Sequence, residues 1–529
     1  NNWGTYQGEY KTERRNFYHK PVMNINWDYT ISDDSNLSTV LYASWGRGGG
    51  TGNRGNRERT NTGYVDYDAI YANNAAAVDG NFGNGAYITR SSMNNHSWYG
   101  MVSNYEKQLN DNLVWNVGAD LRTYYGTHFR QVKDLHGLSS WTEDRRLKDG
   151  THNRVGDVVS VTANTAFSAN PWATFFNFAS ENERIDYDSS ERISYAGMFT
   201  QLEYATDKLS AFVQGSLSQQ NHQRFDRYDY DANSQDSEKV SNVGYNVKAG
   251  GSIIVDESNK VYANAGVYSR QPFHDAIFNT YDNRVSPFTQ NEDILGLELG
   301  YSYAKNNFSA NVNLYRTSWK NRVVSSSRVV DGLIENTLNF GAEQLHQGIE
   351  IDFRTRMLNN KLTFKGFTSI GDWEYVGSTV RRVVDEDQVI LSESNNDVDG
   401  GKVGDAAQFT LGFGLDYAIT DNFSVDFDWR LYDGLYANVG AVKENLELPT
   451  YDIADLGISY RLFIGENKDK NLDFRLNVNN LFYEVYLTDL RDNDEASPIA
   501  SENWKGINKS NRGMFGWGRT WNASVKYSF

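Results

Sequence analysis

The strongest constraint on the fold sits at the end of the chain. Phe515, Trp517, Trp521, Ala523, Val525, Tyr527 and Phe529 occupy alternate positions, separated by Gly516, Gly518, Thr520, Asn522, Ser524, Lys526 and Ser528. A period of two places these sets on opposite faces of a strand, whereas a helix would scatter both around its axis. The segment 515–529 is therefore predicted as one strand with an apolar, aromatic face and a polar face. Arg519 breaks the apolar face. Ten residues back from Phe529, at roughly 3.3 Å each and about 45° of tilt, the chain has risen about 23 Å, so Arg519 can snorkel at the far interface of an apolar band.

The same pattern recurs upstream. Met23, Ile25, Trp27 and Tyr29 alternate, a turn runs through Ser32 to Asn36, and Leu37, Thr39, Leu41, Ala43 and Trp45 alternate again. Further strand pairs meet at Asn110-Asp111-Asn112, Ala205 to Lys208, Asp256 to Lys260, Lys305 to Asn307, Leu358 to Lys361, Thr420 to Asn422 and Gly465 to Lys470, turns rich in the Asn, Asp and Gly that tight reversals need. Long connections separate these hairpins, near 46–97, 126–192, 218–242, 269–293, 320–346, 376–407, 433–451 and 483–513. Short turns at one end and long loops at the other are the pattern of a transmembrane β-barrel with periplasmic turns and extracellular loops. The reading is all-β: a large antiparallel barrel with about seventeen strands in residues 1–529. An odd number with a periplasmic C-terminus implies that at least one strand lies upstream if the barrel closes with an even count.

Composition narrows the alternatives. The chain has 529 residues, no Cys, and 51 Lys and Arg against 68 Asp and Glu, a formal charge of −17. Disulfides, thiolate metal sites and cysteine nucleophiles are excluded, and nucleic-acid binding by phosphate neutralisation is disfavoured. No apolar run reaches the roughly 18 residues of a spanning helix. Aromatics make up 14%, Gly numbers 45 and Pro 6, with a mean hydropathy of −0.65. Low hydropathy with many aromatics suits strands that show lipid only alternate residues.

Asn477-Val478-Asn479-Asn480-Leu481-Phe482 before the last loop, the terminal strand ending in Phe529, Leu297 to Tyr301 followed by Phe308 to Tyr315, and Gly348 to Phe353 together resemble the TonB-dependent receptors of gram-negative outer membranes. The resemblance covers nearly the whole chain. It implies a barrel of about 22 strands closed by a plug, with the plug and about five strands upstream of Asn1. It also implies an importer in which TonB, with ExbB and ExbD, acts through that plug. The terminal pattern resembles the signal read by the barrel assembly machinery, with Tyr527 and Phe529 as its carriers.

Candidate ligand-binding residues lie in the loops. Gly46 to Gly50, followed by Thr51 to Arg57, forms a glycine-rich stretch read as a flexible loop crown. Its Arg47, Arg54 and Arg57 suit bidentate contact with an anionic substrate. Tyr64, Trp141, Tyr228 and Tyr230 offer stacking faces for a substrate chamber. Asp229, Asp231 and Asn233 place oxygen at alternate positions, which suits Ca²⁺, although Ser234 stands where an EF-hand needs Gly. The eight His show no ligand spacing; His128, His222 and His274 fall near strand ends, where a loop or interface position is the plainer reading.

The expected function is a receptor that captures a scarce nutrient at its extracellular loops and imports it, with no covalent chemistry and no required cofactor beyond loop-bound Ca²⁺. Expected partners are outer-membrane lipid, lipopolysaccharide, the TonB complex, the assembly machinery and a surface lipoprotein. The alternatives are a passive porin, an adhesive or secretion-associated barrel, and a barrel hydrolase, which would need a converging nucleophile, base and oxyanion donor.

Overall fold

The computed structural model describes the chain except residues 78, 82–83, 149–152, 163–165, 280–282, 331–332, 386–388 and 466–468. Among the described residues, eighteen strands build one sheet wound into a barrel. In chain order they are β1 Asn16–His19, β2 Val22–Ser32, β3 Ser35–Gly55, β4 Tyr87–Asn110, β5 Leu113–Asp134, β6 Ile185–Ala205, β7 Leu209–Asp226, β8 Val240–Asp256, β9 Asn259–Arg270, β10 Glu292–Lys305, β11 Phe308–Lys320, β12 Glu343–Met357, β13 Leu362–Val376, β14 Phe409–Ala418, β15 Phe423–Asp433, β16 Tyr451–Ile464, β17 Lys470–Asn479 and β18 Thr520–Ser528. β1 and β2 lie end to end along β3, pairing with Arg47–Gly50 and with Ser35–Ser44. The break falls at Pro21, which has no N–H for the ladder. The strands therefore fill seventeen positions around the wall, as the alternation predicts.

Each predicted short turn joins a registered antiparallel pair, for example Asp256 with Asn259 and Lys305 with Phe308. Asn306 turns with φ of 54°, where Asn is tolerated better than most residues. The turn expected at Gly465 to Lys470 has its middle, 466–468, outside the described residues, but Ile464 pairs with Lys470 across it.

Register fixes the two faces. Leu41, Met101, Leu121 and Ala196 stand side by side across β3 to β6. Their neighbours on that face, Met198, Val213, Leu217, Val247, Leu297 and Leu314, are well exposed apolar residues. They form an outer apolar belt. The inner face is polar and cross-linked: Asn311 donates to Asp352 at 3.0 Å, Asn477 to Asn522 at 2.9 Å, and Arg475 holds Asp426. Glycines on this face make room for aromatic rings. A Cβ on Gly300 would stand 1.9 Å from the Tyr262 ring, and one on Gly100 2.0 Å from Tyr42.

Residue registers also decide how far the barrel is closed. Pairing is continuous from β2 to β18, and among the described residues no register joins those two strands. Every residue of β2 is exposed, as is nearly every residue of β18.

Two expectations need correction. The terminal strand does not run from 515. Gly513–Phe515 pairs instead with Leu487–Leu490. Gly516 lies against Tyr486, and Asn480 Nδ2 donates to the Trp517 carbonyl at 3.2 Å, so the chain leaves the wall before Thr520. The glycine-rich stretch is not a flexible crown. Gly46 to Gly52 continues β3, paired on both sides with β1 and β4.

The wall is uneven in height. β3 to β6 have 21, 24, 22 and 21 residues, whereas β14, β15, β17 and β18 have 10, 11, 10 and 9. At roughly 3.3 Å per residue and about 45° of tilt the tall strands rise about 50 Å, twice the apolar band of about 25 Å. Their upper halves form a palisade beyond the membrane. Outside it, Phe17, Met93 and Phe129 are covered by Phe167, Ala169, Phe178 and Ala179.

Candidate vestibule at the loop end

The upper palisade and the loops above it carry most of the predicted binding residues, and the structure ties many of these to one another. Glu143, on the strand Ser140–Lys148, is the hub. Arg54 at the top of β3 grips it through Nε at 2.5 Å and Nη2 at 3.1 Å, Trp141 Nε1 donates at 2.8 Å, and Tyr228 donates its hydroxyl at 3.2 Å. Asp186 joins the network, accepting from Arg54 at 2.7 Å and pairing with Arg130. Trp141 is fully buried among Ile88, Val132, Leu138 and Ile185. Three residues read from the sequence as ligand contacts thus converge, but on an internal carboxylate that fastens two loops to the wall.

The other predicted residues are similarly engaged. Arg57 donates to the buried Glu13 at 2.8 Å, which also accepts from the Tyr87 hydroxyl at 2.7 Å. Arg47 donates to the carbonyls of Gly46 and His96 at 2.7 and 2.6 Å. Tyr64 packs against Trp3 with ring centroids 4.5 Å apart. The Tyr230 hydroxyl accepts from the Asn283 N–H at 3.2 Å. In the acidic loop, Asp226 accepts from the N–H groups of Tyr228 and Asp229, and Asp231 from that of Asn233. Among the described residues, no three His, Cys, Asp or Glu side chains are arranged to hold a metal ion. Tyr527 pairs opposite Leu472 on the outer face of β18, and Phe529 follows it, 94% exposed.

Sequence spacing missed a second assembly, because its members come from four strands and a loop. His96 on β4, Tyr124 and His128 on β5, Glu191 on β6, His222 on β7 and His274 on the short helix His274–Ile277 meet on the inner wall. Glu191 lies 3.4 Å from His128 Nε2 and 3.5 Å from His274 Nε2. His222 Nδ1 is 3.3 Å from His274 Nδ1, and His96 Nδ1 is 2.6 Å from the Tyr124 hydroxyl. His222 stands about 30 Å along the barrel axis from its short turn, at roughly 3.3 Å per residue and about 45° of tilt, above the apolar band. Burial lowers His96, His222 and His274 to about 4, so all three are neutral at pH 7. Burial pushes the Glu191 carboxyl up, but hydrogen bonds from His128 and Tyr124 and, once acid protonates these imidazoles, the charges of His274 and His128 bring it down to about 2. The arrangement is a buried hydrogen-bond cluster that fastens the loop after β9 to the palisade.

A large antiparallel barrel with an apolar belt, a polar interior and a loop-built vestibule defines the class: a transmembrane receptor-type barrel. The family model described as "TonB dependent receptor-like, beta-barrel" matches residues 44–481, and the chain belongs to that family. The fold is similar to the ferric-catecholate import receptor Fiu of Escherichia coli K12, with a TM-score of 0.58 and 14% identity over 98% of this chain and 65% of that one. It is also similar to the siderophore receptor PiuA of Acinetobacter baumannii, with a TM-score of 0.59 and 13% identity over 96% of this chain and 64% of that one. The copper transporter OprC gives a TM-score of 0.61 and 11% identity, covering 98% and 69%. The chain thus spans a little under two thirds of the length of Fiu and PiuA. No curated protein gives a significant sequence match.

Proposed function

We propose that this chain is the barrel part of an outer-membrane receptor that binds a scarce nutrient at its loop end and imports it with energy from the TonB complex. The observation that carries the reading is membership of the receptor family over residues 44–481, joined to a polar inner wall beneath a tall vestibule. A barrel of this width without an internal domain would be an open aqueous channel. We therefore place a plug, the site of TonB action, and further wall strands in the same polypeptide. The unpaired, exposed edges of β2 and β18 support those strands, since open sheet edges do not persist in lipid. Outer-membrane lipid and lipopolysaccharide, the assembly machinery and a surface lipoprotein complete the proposed partners, and no enzymatic step is assigned.

The test is energy-dependent uptake. Cells expressing the full-length protein, with and without TonB, are offered labelled ferric chelates, cobalamin, oligosaccharides and peptides. Accumulation of one class only when receptor and TonB are both present supports the reading. Accumulation that needs the barrel but not TonB, and rises linearly with concentration, would identify a passive pore instead.

A further inference from the structure

The inner face of the palisade carries a pair of cations that the internal network leaves uncompensated. Arg14, just before β1, and Arg90, on β4, meet over Gly52 of β3. Arg14 Nη1 and Arg90 Nη1 each lie 3.1 Å from the point where a Cβ on Gly52 would stand, so only the missing side chain lets the two guanidiniums share this space. Among the described residues neither is ion-paired. Arg14 Nη1 reaches only the Thr51 carbonyl at 3.4 Å, and Arg90 Nη1 donates to Ser92 Oγ at 2.9 Å. Arg90 Nε is buried without a hydrogen-bond partner.

The surroundings make this costly for Arg90, which is half-buried, while Arg14 is exposed at the rim. Asp186, whose charge acts on Arg90, already serves Arg54 and Arg130, and Glu143 also serves Arg54. Arg54 and Arg130 thus take up both carboxylates, and among the described residues Arg14 and Arg90 pair with neither. Burial, with repulsion from Arg130 and Arg14, lowers Arg90 to about 10. Like charges are gathered rather than dispersed, and they border a cavity of about 500 Å³ lined by Arg14, Asn16, Tyr18, Arg90, Ser92 and Asn94. By strand alternation these side chains share the inner face, through the pairs Asn16 with Gly50, Gly50 with Ser92 and Gly52 with Arg90. The recess thus holds two planar forks of donors and no carboxylate among its lining residues to receive them.

We propose that Arg14 and Arg90 recognise an oxyanion, a carboxylate or phosphate group, on a small ligand entering the vestibule. The proposal deepens the receptor reading above and rests on it for the direction of entry. Guanidinium forks match both groups bidentately, and such charge-assisted bonds strengthen where water is excluded. Asn16, Asn94 and Tyr18 border the same recess with groups able to hydrogen-bond the rest of the ligand.

The experiment uses the full-length protein in detergent at constant ionic strength, with inorganic phosphate and citrate as probes and chloride as the reference. Wild type is expected to bind at least one probe, with a rise in thermal midpoint. The double variant Arg14→Gln, Arg90→Gln should lose this response, with affinity falling about 10- to 100-fold per guanidinium removed. A heat-modifiable band on gels reports that the variant barrel is folded, and Gly52→Ala, which intrudes on both guanidiniums without removing charge, should weaken binding as a second route. In chloride alone Arg90→Gln should not lower the midpoint, because a repelled, desolvated cation has been removed. Absence of an anion-specific response in wild type, or its survival in the folded double variant, overturns the proposal. So does a fall of several degrees for Arg90→Gln in chloride, which would make Arg90 a structural cation. Failure of the receptor reading is separately visible as absence of TonB-dependent uptake, which leaves the phosphate titration unchanged.

Discussion

At the scale of single residues, Glu143 and Glu191 do similar work by different chemistry. Glu143 accepts from Arg54, Trp141, Tyr228 and the Asp186 N–H, so replacing it with Ala removes one of the two carboxylates that hold Arg54 and the acceptor of two ring donors. Breaking one side of a buried ion pair costs about 3–5 kcal/mol. Glu143→Ala should therefore lower the urea midpoint of the full-length protein markedly, while Glu143→Gln, which keeps one acceptor, falls between. Around Glu191 the variable is pH. The groups facing this cluster are His96, Tyr124, His128, His222, Arg224, His274 and Asp275, with Lys20 and Arg47 nearby. His96, His222 and His274 have folded values near 4, below their unfolded value of about 6.5. The unfolded chain takes protons first, so stability declines as pH drops from about 6.5 to about 4. Glu191 acts lower, contributing stability above its unfolded value of about 4.3 that is lost as pH falls toward 2. The pair of substitutions His222→Asn and His274→Asn should flatten the decline between 6.5 and 4 in a pH series of thermal midpoints; an unchanged slope would assign it elsewhere.

At the scale of elements, the hairpins were legible and their upper continuations were not. Alternation is imposed where one face meets lipid, so Met23 to Tyr29 and Trp521 to Tyr527 announce themselves. Above the lipid no such pressure acts, and Gly46 to Gly52 reads as a loop although hydrogen bonds to β1 and β4 make it strand. The binding site suffered more. Arg54 and Tyr228 read as ligand contacts, and nothing in their local sequence says that both end on Glu143. Arg14 and Arg90 pass unnoticed because only the pairing of Gly52 with Arg90 brings them together. The C-terminal element carries its own prediction. Trp521, Val525 and Tyr527 stand 73%, 63% and 49% exposed on the outer face, aligned with Val478, Phe474 and Leu472 of β17. Deleting Phe529 should reduce the heat-modifiable, outer-membrane fraction of the full-length protein while leaving its synthesis unchanged, if the chain end serves in assembly rather than only in packing.

At the scale of the whole molecule, one wall serves two solvents, and adjacent residues should respond oppositely to the same substitution. Val213 lies on the outer face of β7, 49% exposed, and Gln214 turns inward beside Gln201. Arg at a lipid-facing position near the midplane costs about 2–4 kcal/mol, whereas lumen positions accept it. Val213→Arg should reduce folding yield into bilayers and Gln214→Arg should not; equal effects would mean that the faces are assigned wrongly.

The cover over Phe17, Met93 and Phe129 carries two further aromatics. Trp172 and Phe176 are 69% and 85% exposed, and Trp172 packs on His19 at 4.3 Å. Indole and phenyl groups settle in the headgroup layer. Fixed to the outside of the palisade, they act like the load line on a hull. If they seat at the bilayer surface, they set how deep the barrel floats and so keep the recess beside Arg14 and Arg90 at a constant height above it.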